Sequence, residues 1–358
     1  MSVAELDPGG GEREVGAPLI EGRGLTRVFG VRRGVFAPRR TLRAVDGVSL
    51  VVHEGETVAL VGESGSGKST LGRLLLGVLA PSDGDVLYEG EDVSRLRGAA
   101  WRRFRREVQV VFQDTGASLN PRRSVGSSVG LPLRHNLGRS AAQARAGAAE
   151  LLARVGLPPE TFLERLPHEL SGGQRQRVGI ARALASQPRF VVADEPVSAL
   201  DVSIRAGILK LLSEVQGERG IAYLFITHDL GVVRAIASRA VVLYLGAVME
   251  SGPVSALFST PAHPYTRALL AATPVPDPTR RRTAEQQGAR GDPPSPIDPP
   301  PGCRFHTRCP LVQDICRTTV PPLVTFPDGV VSACHYATDV RQLPRPGAVA
   351  AVSGVSGE

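Results

Sequence analysis

The chain has 358 residues, 42% of them hydrophobic, and a formal net charge of +7. That is enough for one large domain with additions or for two domains, and too apolar for a chain that stays disordered. No apolar run approaches the roughly 18 residues of a membrane helix, and the acidic, glycine-rich start "MSVAELDPGGGERE" lacks the pattern of a secretory signal, so a cytosolic chain is expected.

Residues 1–19 read as a flexible leader. From about 20 to 265, apolar runs alternate with helix-like segments. "TVALVG", "VQVVFQ", "RFVVAD", "YLFITHD" and "AVVLYLG" read as buried strands. "TLGRLLLGVLA", "SAAQARAGAAELLARVG" and "SIRAGILKLLSEVQGERG" carry helical spacing. Strands that are apolar throughout, rather than alternately, predict an α/β fold: a mostly parallel sheet covered by helices on both faces. Residues 266–301, rich in proline and polar residues, predict an extended linker. A compact cysteine-bearing segment follows at 302–338, and 339–358 reads as a disordered tail. Arginine clusters such as "VRRGVFAPRR" and "RLRGAAWRRFRR" carry much of the positive charge. They suit phosphates of nucleic acid or an anionic membrane, and equally a solvated surface.

The stretch "GESGSGKST" fits the phosphate-loop pattern at Gly62, Gly67, Lys68 and Ser69. Gly62, Glu63, Ser64, Gly65, Ser66, Gly67, Lys68, Ser69 and Thr70 lie between a predicted strand and a predicted helix. Backbone N–H groups there converge on phosphate oxygens, Lys68 reaches the β- and γ-phosphates, and Ser69 holds Mg²⁺. "RFVVADEP" is a strand ending in Asp194 and Glu195. The first carboxylate suits the Mg²⁺ shell and the second suits activation of water. "LSGGQRQR" places Ser171, Gly172, Gly173 and Gln174 at a helix start, a second anion site.

Two phosphate-binding surfaces in one chain, with these motifs in this order, resemble the ATP-binding cassette family over about residues 20–265. The resemblance implies a P-loop NTPase nucleotide-binding domain: a mixed sheet with a RecA-like core plus a helical subdomain at about 115–185, here with a small cysteine-containing C-terminal extension. It also implies two cassettes sandwiching two ATP molecules head to tail. Gln113 in "VVFQD" then matches the glutamine that touches Mg²⁺ and the attacking water. Asp201 in "SALD" matches the loop that crosses the dimer interface. His228 in "FITHD" matches the histidine on the γ-phosphate, and Phe29 in "LTRVFG" matches the aromatic that stacks on adenine, by its ring face. Glu195, His228 and Gln113 are the implied catalytic residues.

Chromosome-type relatives insert long coiled coils between the two surfaces, and translation-type relatives carry two cassettes. Here Lys68 and Ser171 are 103 residues apart, without a long heptad run, and there is one cassette. A transporter subunit is therefore expected, with a nucleic-acid or ribosome ATPase as the alternative. "FQDTGASLNPRRSVG", "DEPVSALDVSIRAGILKLL" and "HPYTRALLAATP" resemble the dipeptide/oligopeptide importer ATPases, closest to their F-type member. Thr115 stands where proline is usual, and "LGAVMESG" lacks the usual basic residue. The resemblance implies docking at the cytoplasmic face of the membrane on two permease subunits. It implies pairing with a paralogous ATPase or with itself, and indirect service to an extracellular substrate-binding protein; no nucleic-acid partner is expected. Nickel and glutathione importers use very similar ATPases, so the cargo stays open.

All four cysteines, Cys303, Cys309, Cys316 and Cys334, fall in the C-terminal segment with spacing C-x5-C-x6-C-x17-C. In a cytosolic chain, structural disulfides are rare. Four thiolates suit an iron–sulfur cluster or tetrahedral zinc, and reduced thiols in a folded cap are the third reading. The resemblance favours a [4Fe–4S] cluster over zinc.

Overall fold

The structure is a computed structural model that describes residues 17–31, 40–113, 118–272 and 291–344. Most of the predicted leader and tail, residues 273–290 of the predicted linker, and Thr115 lie outside the described residues. The strands are β1 (Pro18–Val31), β2 (Arg40–His53), β3 (Thr57–Val61), β4 (Asp83–Tyr88), β5 (Glu91–Asp92), β6 (Val108–Val111), β7 (Phe190–Asp194), β8 (Ala222–Ile226), β9 (Arg239–Tyr244), β10 (Ala247–Pro253), β11 (Val324–Thr325) and β12 (Val331–Ser332). The helices are α1 (Lys68–Leu75), α2 (Gly98–Glu107), α3 (Val125–Leu137), α4 (Ala141–Arg154), α5 (Pro159–Phe162), α6 (Gly172–Ala185), α7 (Val202–Arg219), α8 (Leu230–Ile236), α9 (Val254–Ser259), α10 (Pro264–Ala272), α11 (Asp314–Thr318) and α12 (Ala337–Gln342).

The main sheet runs β11-β12-β10-β9-β3-β8-β7-β6. Its centre, β9-β3-β8-β7-β6, is parallel throughout. The apolar strands of the sequence form this centre because both faces are covered. Val58, Leu60, Val192, Leu224 and Ile226 pack with Leu71, Leu74 and Leu75 of α1. The alternate residues Val191, Ala193, Tyr223 and Phe225 face Val178 and Ile180 of α6 and Leu211 and Leu212 of α7.

A second sheet, β2-β1-β4-β5, is antiparallel. The apolar-strand pattern alone misses it, because β1 and β2 mix charged and apolar residues and carry register shifts, whereas the mixed sheet implied by the resemblance is what the chain forms. Helices α3, α4 and α6 share a core of Val125, Val129, Ala144, Ala148, Leu152 and Val178. Each begins at a serine, Ser124, Ser140 or Ser171, whose hydroxyl accepts an N–H of the first turn.

The cysteine-containing C-terminal extension is joined to the main sheet. Its β12 pairs antiparallel with β10, and β11 with β12, so it continues the main sheet. The edge of β10 offers unpaired backbone groups, and this pairing satisfies them. Helix α10 covers Pro264–Ala272, so helix occupies the first residues assigned to the linker; α12 likewise runs to Gln342, into the assigned tail. Among the described residues, no helix is long and apolar enough to cross a membrane.

Candidate active site

Strands β3, β8, β7 and β6 are consecutive neighbours, so their carboxyl ends deliver four loops to one edge. In an open α/β sheet that edge is where a ligand is met. After β3 comes the phosphate loop, whose Ser64 and Gly65 are exposed at its crest and whose Thr70 lies in the first turn of α1. At Gly67, φ is +103°, and a Cβ would stand 2.2 Å from Ala44 O. Glycine is required there on both counts. A Cβ on Gly62 would likewise meet Leu243 O at 2.2 Å.

Lys68 is buried, and its Nζ donates to Gly62 O at 2.7 Å, Glu63 O at 2.8 Å and Ser66 Oγ at 3.3 Å. Burial pulls its pKa below the ordinary lysine value, against the opposing charges of Glu195, Asp194 and Glu63. A desolvated ammonium held on carbonyl oxygens is ready to exchange them for a stronger anionic acceptor.

Asp194 ends β7. Its Oδ1 is buried with no hydrogen-bond partner. Burial raises its pKa, and a hydrogen bond from Ser69 and the nearby charges of Arg73 and Lys68 oppose that. A buried carboxylate oxygen without a partner, beside a serine hydroxyl, fits a divalent cation.

Glu195 adopts φ +47°, in the left-handed region. Its N–H donates to Ile226 O at 2.9 Å, and Ser198 Oγ donates to its carbonyl at 3.0 Å, which holds the bend. The bend places its carboxylate between two loops. Gln113 Nε2, after β6, donates to Oε2 at 2.8 Å; His228 Nδ1, after β8, lies 2.9 Å from Oε1. The structure thus brings together Glu195, Gln113 and His228 at the end of the sheet that carries the phosphate loop.

It does not bring the second anion site to that loop. Ser171 and Gln174 form a reciprocal cap on α6: Gln174 N donates to Ser171 Oγ at 3.2 Å, and Ser171 N to Gln174 Oε1 at 2.9 Å. The cap uses the serine oxygen as acceptor and leaves its O–H free to donate. A Cβ on Gly172 would meet nothing within 4 Å, so a phosphate has room to approach; Gly173 packs on Leu200 and Ala199. Asp201 is exposed at the start of α7 without a side-chain capping bond. Ser171 and Gly172 are likewise exposed, and Gly173 and Gln174 are half-buried. Phe29 lies in β1 with the Arg27 guanidinium 4.8 Å from its ring centroid. Of the arginines on α2, Arg103 pairs with Glu89 and Glu107, and Arg106 with Glu107, so part of that cluster is neutralised internally.

Two residues that sequence reasoning did not single out touch the phosphate loop. Tyr265 Oη, from α10, accepts the Glu63 N–H at 2.9 Å. Arg308 pairs with the Glu63 carboxylate at 2.7 Å. Their partner lies 202 and 245 positions away, beyond any local pattern.

The four cysteines are unbridged and line one small cavity. Burial, reinforced by the other cysteines, pushes the Cys309 thiol up to about 11 and Cys334 up to about 12. The neighbouring histidines are engaged elsewhere: His306 Nδ1 meets Cys303 O at 2.9 Å and His335 Nε2 meets Thr319 O at 3.0 Å. Among the described residues, no three His, Cys, Asp or Glu side chains are arranged to hold a single metal ion. Four thiols in one cavity supply donor atoms of the type that an iron–sulfur cluster takes.

Comparison with known proteins gives matches over both parts of the chain. Residues 45–198 match the family described as ABC transporter, and residues 249–316 match that described as oligopeptide/dipeptide transporter, C-terminal region. The chain is 50% identical over 318 residues to a probable peptide ABC transporter ATP-binding protein of Sinorhizobium fredii, covering 88% of this chain and 89% of that one. It is 45% identical over 328 residues to the dipeptide transport ATP-binding protein DppF of Escherichia coli, covering 92% and 97%. Among solved structures, the dimeric post-hydrolysis state of the ATP-binding cassette MJ0796, bound to ADP and Pi, aligns with TM-score 0.60 and 32% identity. That alignment covers 66% of this chain and 98% of the other.

Proposed function

The chain belongs to the ABC transporter ATPases, in the branch with the oligopeptide/dipeptide transporter C-terminal region, and we propose on that basis how its residues divide the reaction. It is the ATP-hydrolysing subunit of a peptide importer, a cassette that dimerises and works with membrane permease subunits. The observation that carries the reading is the meeting of Lys68, Asp194, Glu195, His228 and Gln113 at the carboxyl ends of four adjacent strands.

Lys68 exchanges Gly62 O and Glu63 O for the β- and γ-phosphates of ATP, while the N–H groups of the loop and of the first turn of α1 cradle the remaining oxygens. Ser69, Asp194 and Gln113 would hold Mg²⁺, which would supply neutralisation of charge on the transferring phosphate. Glu195 takes the proton from the attacking water as general base. Each oxygen of its carboxylate keeps a lone pair beyond the bond to Gln113 or His228, and one of these takes the proton. His228 donates to the γ-phosphate when its ring turns from Glu195. Phe29 offers adenine the ring face that Arg27 leaves open. Ser171, Gly172, Gly173, Gln174 and Asp201 serve the nucleotide of the opposing cassette.

Two permease subunits, a paralogous or identical second ATPase, and a position on the cytoplasmic face complete the assembly. Cys303, Cys309, Cys316 and Cys334 hold a [4Fe–4S] cluster; their convergence on one shielded cavity supports this. Iron and acid-labile sulfide in anaerobically purified chain test it, and zinc or no metal would overturn it.

The function is tested by ATPase rates of the chain alone, with its permease and partner subunits in lipid, and with DNA or ribosomes. Stimulation by the permease assembly, absent in Glu195→Gln, is expected. Stimulation by nucleic acid or ribosomes instead would overturn transport and leave the ATP site standing.

A further inference from the structure

Glu63 is held at three points. Its N–H donates to Tyr265 Oη at 2.9 Å, its carbonyl accepts from Lys68 Nζ at 2.8 Å, and its carboxylate pairs with Arg308 at 2.7 Å. Lys68 comes from within the loop. Tyr265 and Arg308 do not: they belong to α10 and to the turn between Cys303 and Cys309.

That turn is rigid. His306 N donates to Cys303 O at 3.0 Å and Arg308 N to Phe305 O at 3.0 Å. Phe305 is fully buried and packs on Tyr244 and Tyr265, at centroid distances of 5.4 and 5.2 Å. Arg308 is itself buried, with its guanidinium 5.8 Å from the Tyr244 ring centroid. Arg304, at the other end of the turn, binds the Asp46 carboxylate and Leu245 O. Asp46 N donates to Gly246 O, and Gly246 N to Ser66 O, both at 2.9 Å. The turn therefore reaches the phosphate loop twice, at Glu63 directly and at Ser66 through the β9–β10 corner.

We propose that the C-terminal segment sets the conformation of the phosphate loop, with Arg308 and Tyr265 as positioning residues for ATP binding. A buried guanidinium paired to a loop carboxylate fixes the Glu63 side chain, and the tyrosine oxygen fixes its peptide plane. The two carbonyls that park Lys68, Gly62 O and Glu63 O, flank that peptide N–H. Without the clamp the loop samples other conformations, and nucleotide must select the competent one. Apparent affinity then falls by the fraction competent, equally for ADP and ATP.

The inference rests on the ATPase reading above. The test measures KM for ATP, kcat, and the dissociation constant of ADP by calorimetry, on the full chain and its Tyr265→Phe, Arg308→Gln, Arg308→Lys, Glu63→Gln and Glu63→Gln/Arg308→Gln variants. In Arg308→Gln and Tyr265→Phe, KM and the ADP constant are expected to rise together, roughly 5- to 30-fold, with kcat changed less. Arg308→Lys recovers part of the loss. On the Glu63→Gln background, Arg308→Gln adds no more than about twofold, since the shared partner is gone. Calorimetry counts folded chains only, so poor folding does not imitate a weaker constant. Wild-type constants in the variants, or an undiminished Arg308→Gln effect on the Glu63→Gln background, would overturn the inference. A wild type that turns over normally beside such variants would leave the ATPase reading intact.

Discussion

His228 and Glu195 are joined, with His228 Nδ1 2.9 Å from Glu195 Oε1. Gln113 Nε2 occupies the other oxygen at 2.8 Å. A general base must offer a lone pair to its proton, and each oxygen keeps one beyond the bond it accepts. Facing a carboxylate, Nδ1 of His228 donates. A neutral ring then leaves only an acceptor at Nε2, which cannot stabilise a phosphate oxygen. Either the ring leaves Glu195 or it carries both protons.

Glu195→Gln should lower kcat by roughly 10²- to 10⁴-fold, the range of a lost general base, while ADP affinity stays near the wild-type value. Phosphate release and nucleotide titration on the same preparation separate the two. Equal loss of binding would mean that Glu195 shapes the pocket rather than the chemistry.

Lys68→Ala should leave the nucleotide-free melting temperature almost unchanged. The lysine is desolvated and its partners are carbonyl and hydroxyl oxygens that the loop positions anyway. The stabilisation by ADP should vanish. For the wild type at about a hundred times Kd it amounts to about 2.7 kcal/mol. Thermal melts with and without ADP check this, and a retained shift in the variant would remove Lys68 from phosphate binding.

Gly67→Ala should disrupt the loop more than any change of charge in it. The new Cβ meets Ala44 O at 2.2 Å, and φ of +103° is closed to alanine. A cost of about 2 kcal/mol or more is expected from strain and clash together. Urea unfolding measures it, together with loss of nucleotide binding; wild-type behaviour in both would contradict the geometry.

The ATP site was legible because each motif is contiguous in sequence. Gly62–Thr70, Asp194–Glu195 and His228 each follow an apolar strand, and that context carries the inference. The order of those strands was not legible, since β8 lies between β3 and β7 although it follows both in the chain. Nor was the place of the C-terminal segment. Its strands β11 and β12 have two residues each, too short for any periodicity, and they form because β10 leaves an open edge. The grip of Arg308 on Glu63 is a pure product of that long-range packing. Helix α10 hid behind prolines that mark its start, Pro264, as readily as they mark a linker.

The last prediction concerns Glu250, fully buried on β10 where the C-terminal segment docks. Its carboxylate accepts the N–H groups of Ala262 at 2.6 Å and His263 at 3.1 Å. Those bonds favour the ionised form, but burial outweighs them and pushes the pKa up from 4.5 to about 7. The folded chain therefore keeps this proton where the unfolded chain has lost it. The resulting stability is complete below pH 4.5 and is lost as pH rises through 7. At about 1.4 kcal/mol per pKa unit, the fall is on the order of 3 kcal/mol. His263, pushed down from 6.5 to about 3 by burial, stays neutral in the folded chain while the unfolded chain protonates it below 6.5, so it adds a slope of opposite sign that wild type and a Glu250 variant share. Arg341 and Arg267, the cations nearest Glu250, stay charged across the range. Glu250→Gln should start from lower stability, because one N–H loses its acceptor, yet lack the falling contribution of Glu250, so the difference between the two chains narrows from pH 5 to pH 8. Urea unfolding of both chains across that interval decides it. Parallel curves would show that Glu250 is already ionised in the folded chain, held by its two N–H donors against the cost of burial.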